Sequence, residues 1–293
     1  MTHPLNELRA LVLRHASAPP PVLPGVTLWS SRRPTAPTPT MYEPKIYFPL
    51  QGAKRLSSGD RTLKYGAGSF VLVSLDVPVV GAVIEASADH PYLAVSLELD
   101  PASIAALLLE LPPATVADSS DAAKALMVTP TTEAMCDALL RMLRLLDAPA
   151  DAPLLAPMIE RELLYRVLQS PRGVVLRQIA RADSRLAQIQ RAVKWIRAHL
   201  AESLPVETLA GIASMSVSSF HRHFKAVTGL SPLAFHKQVR LQEARLRLLA
   251  APPGAVSSVA FAVGYESASQ FSREYVRQFG ISPGRDAARL RAG

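Results

Sequence analysis

"SSFHRHFKAVTGLSP" at residues 218–232 and "SQFSREYVRQFGISP" at residues 269–283 are two versions of one sequence. Aligned without gaps, they share Ser218/Ser269, Phe220/Phe271, Arg222/Arg273, Gly229/Gly280, Ser231/Ser282 and Pro232/Pro283, and they pair Phe224 with Tyr275 and Leu230 with Ile281. Six identities in fifteen positions exceed the roughly one expected by chance, so the pair is an internal repeat. Each copy predicts a short helix, a tight turn and a second helix that stops at Gly before Ser-Pro, the sequence form of helix-turn-helix. Gly229 and Gly280 suit helix C-terminal stops, and Pro232 and Pro283 suit the opening of the next helix.

In the first copy Val217, Phe220, Phe224 and Val227 fall at steps of 3, 4 and 3 and predict a buried face. Ser218, His221, Arg222 and Lys225 occupy the opposite stripe. In the second copy Ala268, Phe271 and Tyr275 predict the inner face, with Ser269, Gln270, Ser272 and Arg273 outward. Arg bonds guanine bidentately, Gln bonds adenine, and Ser or His suits either, so both outer stripes carry the chemistry of major-groove readout.

Charge points the same way. Residues 1–182 carry 17 Lys and Arg against 17 Asp and Glu, whereas residues 183–293 carry 15 against 7, so the net +8 sits in the last third. A basic module on a neutral one is what a polyanion-binding domain attached to another domain requires. A chain of 293 residues that is 49% hydrophobic is large enough for two packed domains. No apolar run approaches the roughly 20 residues of a membrane span, and the N-terminus has no secretory signal pattern. The single Cys136 excludes an intramolecular disulfide. These features predict a cytoplasmic protein.

Outward from the repeat, residues 186–201, 206–213, 218–228, 232–250, 256–263 and 269–279 read as helices separated by Ser, Pro and Gly. The segment 170–185, with Pro171 and Gly173, coincides with the charge change and predicts the domain boundary. Residues 5–15 predict a short amphipathic helix, and the Pro-rich tract from Pro19 to Pro44 predicts loop and strand edges. Between 42 and 100, "KIYFPLQG", "RTLKYGAGSFVLVS", "PVVGAVIEA" and "YLAVSLELD" predict an all-β unit. From 101 onward helices are expected. One of them carries the apolar stripe Met135, Leu139, Met142, Leu143 and Leu146, expected to pack on the β unit or on a second subunit.

Residues 186–291 resemble the DNA-binding domain of the AraC/XylS transcription regulators. The resemblance rests on Ala260, Gly264, Tyr265, Phe271, Ser272, Arg273, Tyr275, Phe279, Gly280, Ile281, Ser282 and Pro283. It implies two helix-turn-helix units joined by a long helix. Two positions depart from the pattern: Ser214 stands where the first turn usually has Gly, and Asp286 stands where an aromatic is expected, although Phe235 keeps that aromatic in the first copy. Ser214 is expected to strain its turn and Asp286 to weaken packing of the last helix.

Residues 42–100 resemble the cupin-like N-terminal domain of one AraC subgroup, which implies a β-barrel that holds a small-molecule effector and flanking helices that pair subunits. Tyr47, Gln51, Lys54 and Tyr92 are the candidate effector contacts. The region has one histidine, His90, so no metal site and no metallo-cupin chemistry is expected. Cys136 has no basic neighbour within four positions to lower its pKa and reads as a packing residue.

The expected fold class is therefore α+β, with residues 1–172 a cupin-like β-barrel with a helical extension and residues 183–293 an all-α domain of two helix-turn-helix units. The expected function is sequence-specific binding of double-stranded DNA in transcription regulation, without catalysis or cofactor. The partners are a small-molecule effector, a second copy through residues 130–170, and RNA polymerase as the family implies. The alternative is a ligand-binding or enzymatic cupin whose basic tail aids solubility.

Overall fold

The computed structural model describes residues 4–16, 23–59, 61–112 and 124–291; the start of the Pro-rich tract, Pro19 to Pro21, lies outside them. A helix, α1 (Pro4–His15), precedes eight strands: β1 (Val26–Ser31), β2 (Thr38–Tyr42), β3 (Lys45–Gln51), β4 (Ala53–Ser58), β5 (Arg61–Gly66), β6 (Ser69–Val73), β7 (Val77–Glu85) and β8 (Tyr92–Glu98). After α2 (Pro101–Glu110) comes a ninth strand, β9 (Leu126–Pro130), and then α3 (Glu133–Arg144), α4 (Ala152–Leu168) and α5 (Gly173–Ala180). The strands form two antiparallel sheets, β1-β8-β3-β6-β9 and β2-β7-β4-β5. Strand β9 interrupts the helical stretch expected from 101 onward: "LMVTP" pairs with β6 and covers what would otherwise be an open edge.

In the five-stranded sheet, strand β8 is buried on both faces. In β8, Leu93, Val95 and Leu97 are buried, and so are Ala94 and Ser96 on the opposite face. Helix α1 packs on β1, β3 and β8, and α3 packs on α1 and α4. The α3 stripe is therefore internal: Met135, Leu139, Met142 and Leu143 are buried within the subunit and Leu146 packs against the same core. Within residues 130–170 the outward apolar residues lie instead on α4, where Leu154 is 73% and Met158 62% exposed.

The second half is helical throughout: α6 (Arg185–Ala198), α7 (Val206–Ile212), α8 (Val217–Thr228), α9 (Pro232–Ala250), α10 (Val256–Ala262), α11 (Ala268–Phe279) and α12 (Pro283–Arg291). One apolar core runs from the β-sandwich through α5 and α6 into α7, α8 and the start of α9. A separate core, built on Leu241, Leu248, Val259, Phe271 and Tyr275, holds α10, α11 and the end of α9. The halves are also tied by polar contacts. Asp76, just before β7, pairs with Arg197 of α6 at 2.6 Å, Gln242 of α9 donates to the Thr40 carbonyl of β2 at 3.1 Å, and the Ala125 N–H donates to the Val227 carbonyl at 2.9 Å.

Asp286 does not loosen the last helix. It is fully buried in α12 and accepts from Arg245 Nε of α9 at 2.8 Å, Arg245 Nη2 at 3.3 Å, Tyr275 Oη of α11 at 3.0 Å and Arg289 Nη2 at 2.9 Å. The Arg245 guanidinium lies over the Phe279 ring at 5.0 Å. A carboxylate thus binds three helices together where an aromatic would have packed. Removing one member of a buried ion pair strands the other, at a cost of about 3–5 kcal/mol. Asp286→Ala is expected to lose about that much in urea unfolding, with hydrogen-exchange protection falling in α11 and α12 before the sandwich; unchanged protection there would contradict this role.

Candidate nucleic-acid interface

The two units are built alike. Helix α7, a turn over residues 213–216 and α8 make the first; α10, a turn over residues 263–267 and α11 make the second, one residue longer in its turn. Ser216 caps α8 by accepting from the Ser219 N–H, and Ser267 caps α11 by accepting from the Gln270 N–H. Each helix ends at a left-handed glycine, Gly229 at φ 80° and Gly280 at φ 72°. Phe220 meets Phe224 edge-on at 5.3 Å and Phe224 meets Phe235 at 5.4 Å; Tyr265, Phe271 and Tyr275 repeat the pattern at 5.3 and 5.5 Å. Anchoring of one face in this way leaves the other to solvent.

On that free face Ser218, His221, Arg222 and Lys225 of α8 are all exposed. Ser269, Gln270 and Arg273 of α11 are exposed, and Ser272 is half-buried. No carboxylate partner of Arg222, Lys225 or Arg273 occurs among the described residues. Gln270 differs, because its amide donates to Glu274 at 3.4 Å. Glu274 also accepts from Lys237 at 3.0 Å and from the Tyr265 hydroxyl at 2.9 Å. Burial raises its pKa, but these donors outweigh burial and hold the carboxyl below its ordinary value. Val217, expected in the buried face, is 39% exposed because it is the first residue of α8 and lies outside the turn that packs.

Helix α9 fixes the relation of the units. Its 19 residues span about 28 Å at 1.5 Å per residue. Phe235 and Val239 enter the first core, and Leu241, Ala244 and Leu248 enter the second. From its middle, Arg240 donates to the carbonyls of Leu200 and Glu202 at 2.5 and 2.6 Å. The second turn uses Gly264, at φ 88°, where an added Cβ would lie 2.3 Å from the Ala201 carbonyl oxygen. The first turn has Ser214 at φ 54° in the equivalent role, the one non-glycine residue with positive φ among the described residues. A left-handed non-glycine residue costs roughly 1–2 kcal/mol. Ser214→Gly is therefore expected to raise unfolding stability by about 1 kcal/mol, and a thermal or urea melt showing a loss would refute the strain.

In the sandwich the candidate effector residues come together only in part. Lys54 of β4 lies directly across from Tyr65 of β5, and its Nζ donates to the Tyr42 hydroxyl at 2.7 Å. The Tyr42 ring stacks on Tyr47 of the facing sheet at 4.9 Å, and the Tyr42 and Tyr65 hydroxyls are 3.4 Å apart. Tyr92 is buried and interacts with the Tyr65 hydroxyl. Tyr42 and Tyr65 were not among the sequence candidates; their alternation in β2 and β5 is the only signal that could have found them. Gln51 stands apart, donating to the Pro91 carbonyl at 2.9 Å. Burial raises the Cys136 thiol, with Glu133 adding to the shift, which makes it a poor thiolate. No group of three or more His, Cys, Asp or Glu able to hold a metal occurs among the described residues, and no helix there is long and apolar enough to cross a membrane.

Two helix-turn-helix units with cationic outer faces, joined by α9 and attached to an antiparallel β-sandwich, make an architecture whose exposed helix faces suit a polyanion. The family described as the N-terminus of AraC-type transcriptional regulators matches residues 22–175, and the helix-turn-helix domain family matches residues 209–289. The chain belongs to the AraC-type transcriptional regulators. It is 34% identical over 107 residues to the HTH-type transcriptional activator RhaS of Escherichia fergusonii, a match covering 35% of this chain and 38% of RhaS. It is 39% identical over 79 residues to the regulator MtrA of Neisseria gonorrhoeae, covering 27% of this chain and 26% of MtrA. The matches thus span well under two thirds of these relatives. Among solved structures, ToxT of Vibrio cholerae with a bound unsaturated fatty acid shares the fold at TM-score 0.57 and 11% identity, over 89% of this chain and 94% of ToxT. An apo ToxT variant aligns at TM-score 0.59 and 11% identity, over 90% and 97%.

The chemistry at Lys54 makes a separate prediction. Burial pushes its pKa from 10.5 down to about 8. The unfolded chain holds that proton to about pH 10.5, so the charged lysine opposes folding below pH 8 and the penalty fades as pH rises from 8 to 10.5. Lys54→Met is expected to be more stable than the parent at pH 7, by as much as about 3 kcal/mol, with the gap narrowing toward pH 10. A gap that is constant with pH would contradict this.

Proposed function

We propose that this chain is a sequence-specific regulator of transcription that reads double-stranded DNA with α8 and α11 and has no catalytic activity. The observation that carries the reading is the repeated, unpaired arginine: Arg222 and Arg273 occupy equivalent positions on two exposed helix faces. Two such helices at the ends of a joining helix about 28 Å long suit two successive major-groove segments, about 34 Å apart. In this reading residues 183–293 are the DNA-binding domain and residues 1–172 the effector and pairing domain, connected through α5, in a cytoplasmic protein.

The proposed effector is a small molecule held between the sheets at Lys54, Tyr42, Tyr47, Tyr65 and Tyr92, where its polar group replaces the Lys54–Tyr42 hydrogen bond. The likeness to ToxT, which binds a fatty acid, supports a small-molecule role for this half. A second location is favoured by room: a cleft of about 600 Å³ between the halves, with Pro44, Leu99, Ile179 and Leu186 as apolar wall and Lys45 and Lys194 at its rim. Pairing with a second copy is assigned to the outward face of α4, through Leu154 and Met158, rather than to α3. The contact with RNA polymerase that the family implies is assigned no residue.

Binding-site selection with two variants tests the reading. Arg222→Ala and Arg273→Ala should each cost about 1–3 kcal/mol of specific binding and relax preference at positions roughly ten base pairs apart. Lys225→Ala should weaken binding to all sequences alike, because a phosphate contact carries no sequence information. If both arginine variants keep the parent's base preference, the recognition assignment is wrong.

A further inference from the structure

The β4–β5 hairpin of the N-terminal half reaches the first recognition helix. Gly59 at its tip has φ 56°, and a Cβ there would lie 2.6 Å from the Gly229 carbonyl oxygen, so only glycine lets the hairpin sit this close to the end of α8. The Ala125–Val227 backbone bond, at 2.9 Å, fastens the segment leading into β9 to the same helix end. Two segments of the N-terminal half therefore meet the end of α8.

That placement brings two cations to the helix. Arg61, the first residue of β5, lines one continuous groove with Ser218, His221, Arg222 and Lys225. Lys124 and Arg61 together flank Val227 and Thr228 at the C-terminal end of α8. Arg14, Lys45, Lys64, Arg141, Arg144 and Arg161 in the same half each hold a carboxylate, whereas Arg32, Arg33 and Arg55 hold none among the described residues but do not line the groove at α8. Among the described residues Arg61 and Lys124 have no such partner, and none of those lining the Arg61 groove is acidic. Phosphate ridges border the major groove on both sides, so a cation fixed beside the end of a helix that enters the groove is brought to a phosphate.

We propose that the β4–β5 hairpin belongs to the DNA-binding surface, with Arg61 and Lys124 contacting backbone phosphates that flank the segment read by α8. This rests on the reading that α8 faces DNA. It extends the interface from the helix-turn-helix units into the effector domain, and the contribution is to affinity rather than to base preference.

The test uses the full chain and a duplex carrying its selected site, with affinity measured by fluorescence anisotropy from 50 to 300 mM salt. Arg61→Gln should lower the slope of log K against log salt by about 1, and the double variant with Lys124→Gln by about 2, with base preference unchanged. Arg61→Lys keeps the charge and should keep the slope, which separates a phosphate contact from a packing role or from neutralisation of the α8 dipole. An unchanged slope in Arg61→Gln overturns the proposal, and so does tighter binding, which would mean that the hairpin obstructs DNA. Arg222→Ala is measured alongside. If it shifts base preference while Arg61→Gln leaves the slope intact, the hairpin proposal alone fails. If it leaves base preference intact, the reading of α8 fails first.

Discussion

A buried carboxylate, Asp76, and the Arg197 guanidinium 2.6 Å from it hold the two halves of this protein in one orientation. Such a pair is not free stabilisation, since removing two charges from water costs several kcal/mol per ion and the attraction offsets it only when geometry is good. What it does provide is a penalty for every other arrangement: sliding the sandwich on α6 would leave a carboxylate buried without its cation. Gln190 of α6 adds a contact to the same carboxylate at 3.4 Å, and the apolar core continues across the junction around it. The seat of the hairpin on α8 and the cleft between the halves both exist only in the orientation that this pair selects.

The orientation makes the two helix-turn-helix units unequal. The first shares its core with the β-sandwich, whereas the second closes around a core of its own, and α9 carries the Gln242–Thr40 bond to the sandwich. Their surfaces differ too. Around Arg222 stand His221, His223 and Lys225, while beside Arg273 stands Glu274, already engaged by Lys237, Tyr265 and Gln270. A change within the sandwich therefore meets the first unit directly, whereas it reaches the second through the 19-residue α9 and through the α6–α7 connection, where Ala201 packs on Gly264.

The helical half was legible because its signals are local. Turn residues, serine caps and aromatic spacing recur within fifteen residues, and the repeat supplied its own control. The sandwich was legible as strands, but not in its pairings: "LMVTP" is too short and too close to proline to read as β until β6 is seen to need an edge partner. The α3 stripe was visible as apolar, yet what covers it depends on α1, more than a hundred residues away. Gln51 and Lys54 look alike as polar residues near tyrosines, and only the bulge where β3 leaves its register with β8 turns Gln51 toward Pro91. Asp286 was misread for the same reason. Its value is set by Arg245, 41 residues earlier, and a charge reads as an intruder until its partner is in view.

Asp286 and Arg245 also bear on how such a chain can change over generations. With aspartate at 286 and no arginine at 245, or the reverse, the last core would hold a lone charge. Neither intermediate is a small step from the aromatic version. A change at either position is therefore costly unless the other changes with it, and the Tyr275 hydroxyl completes the site.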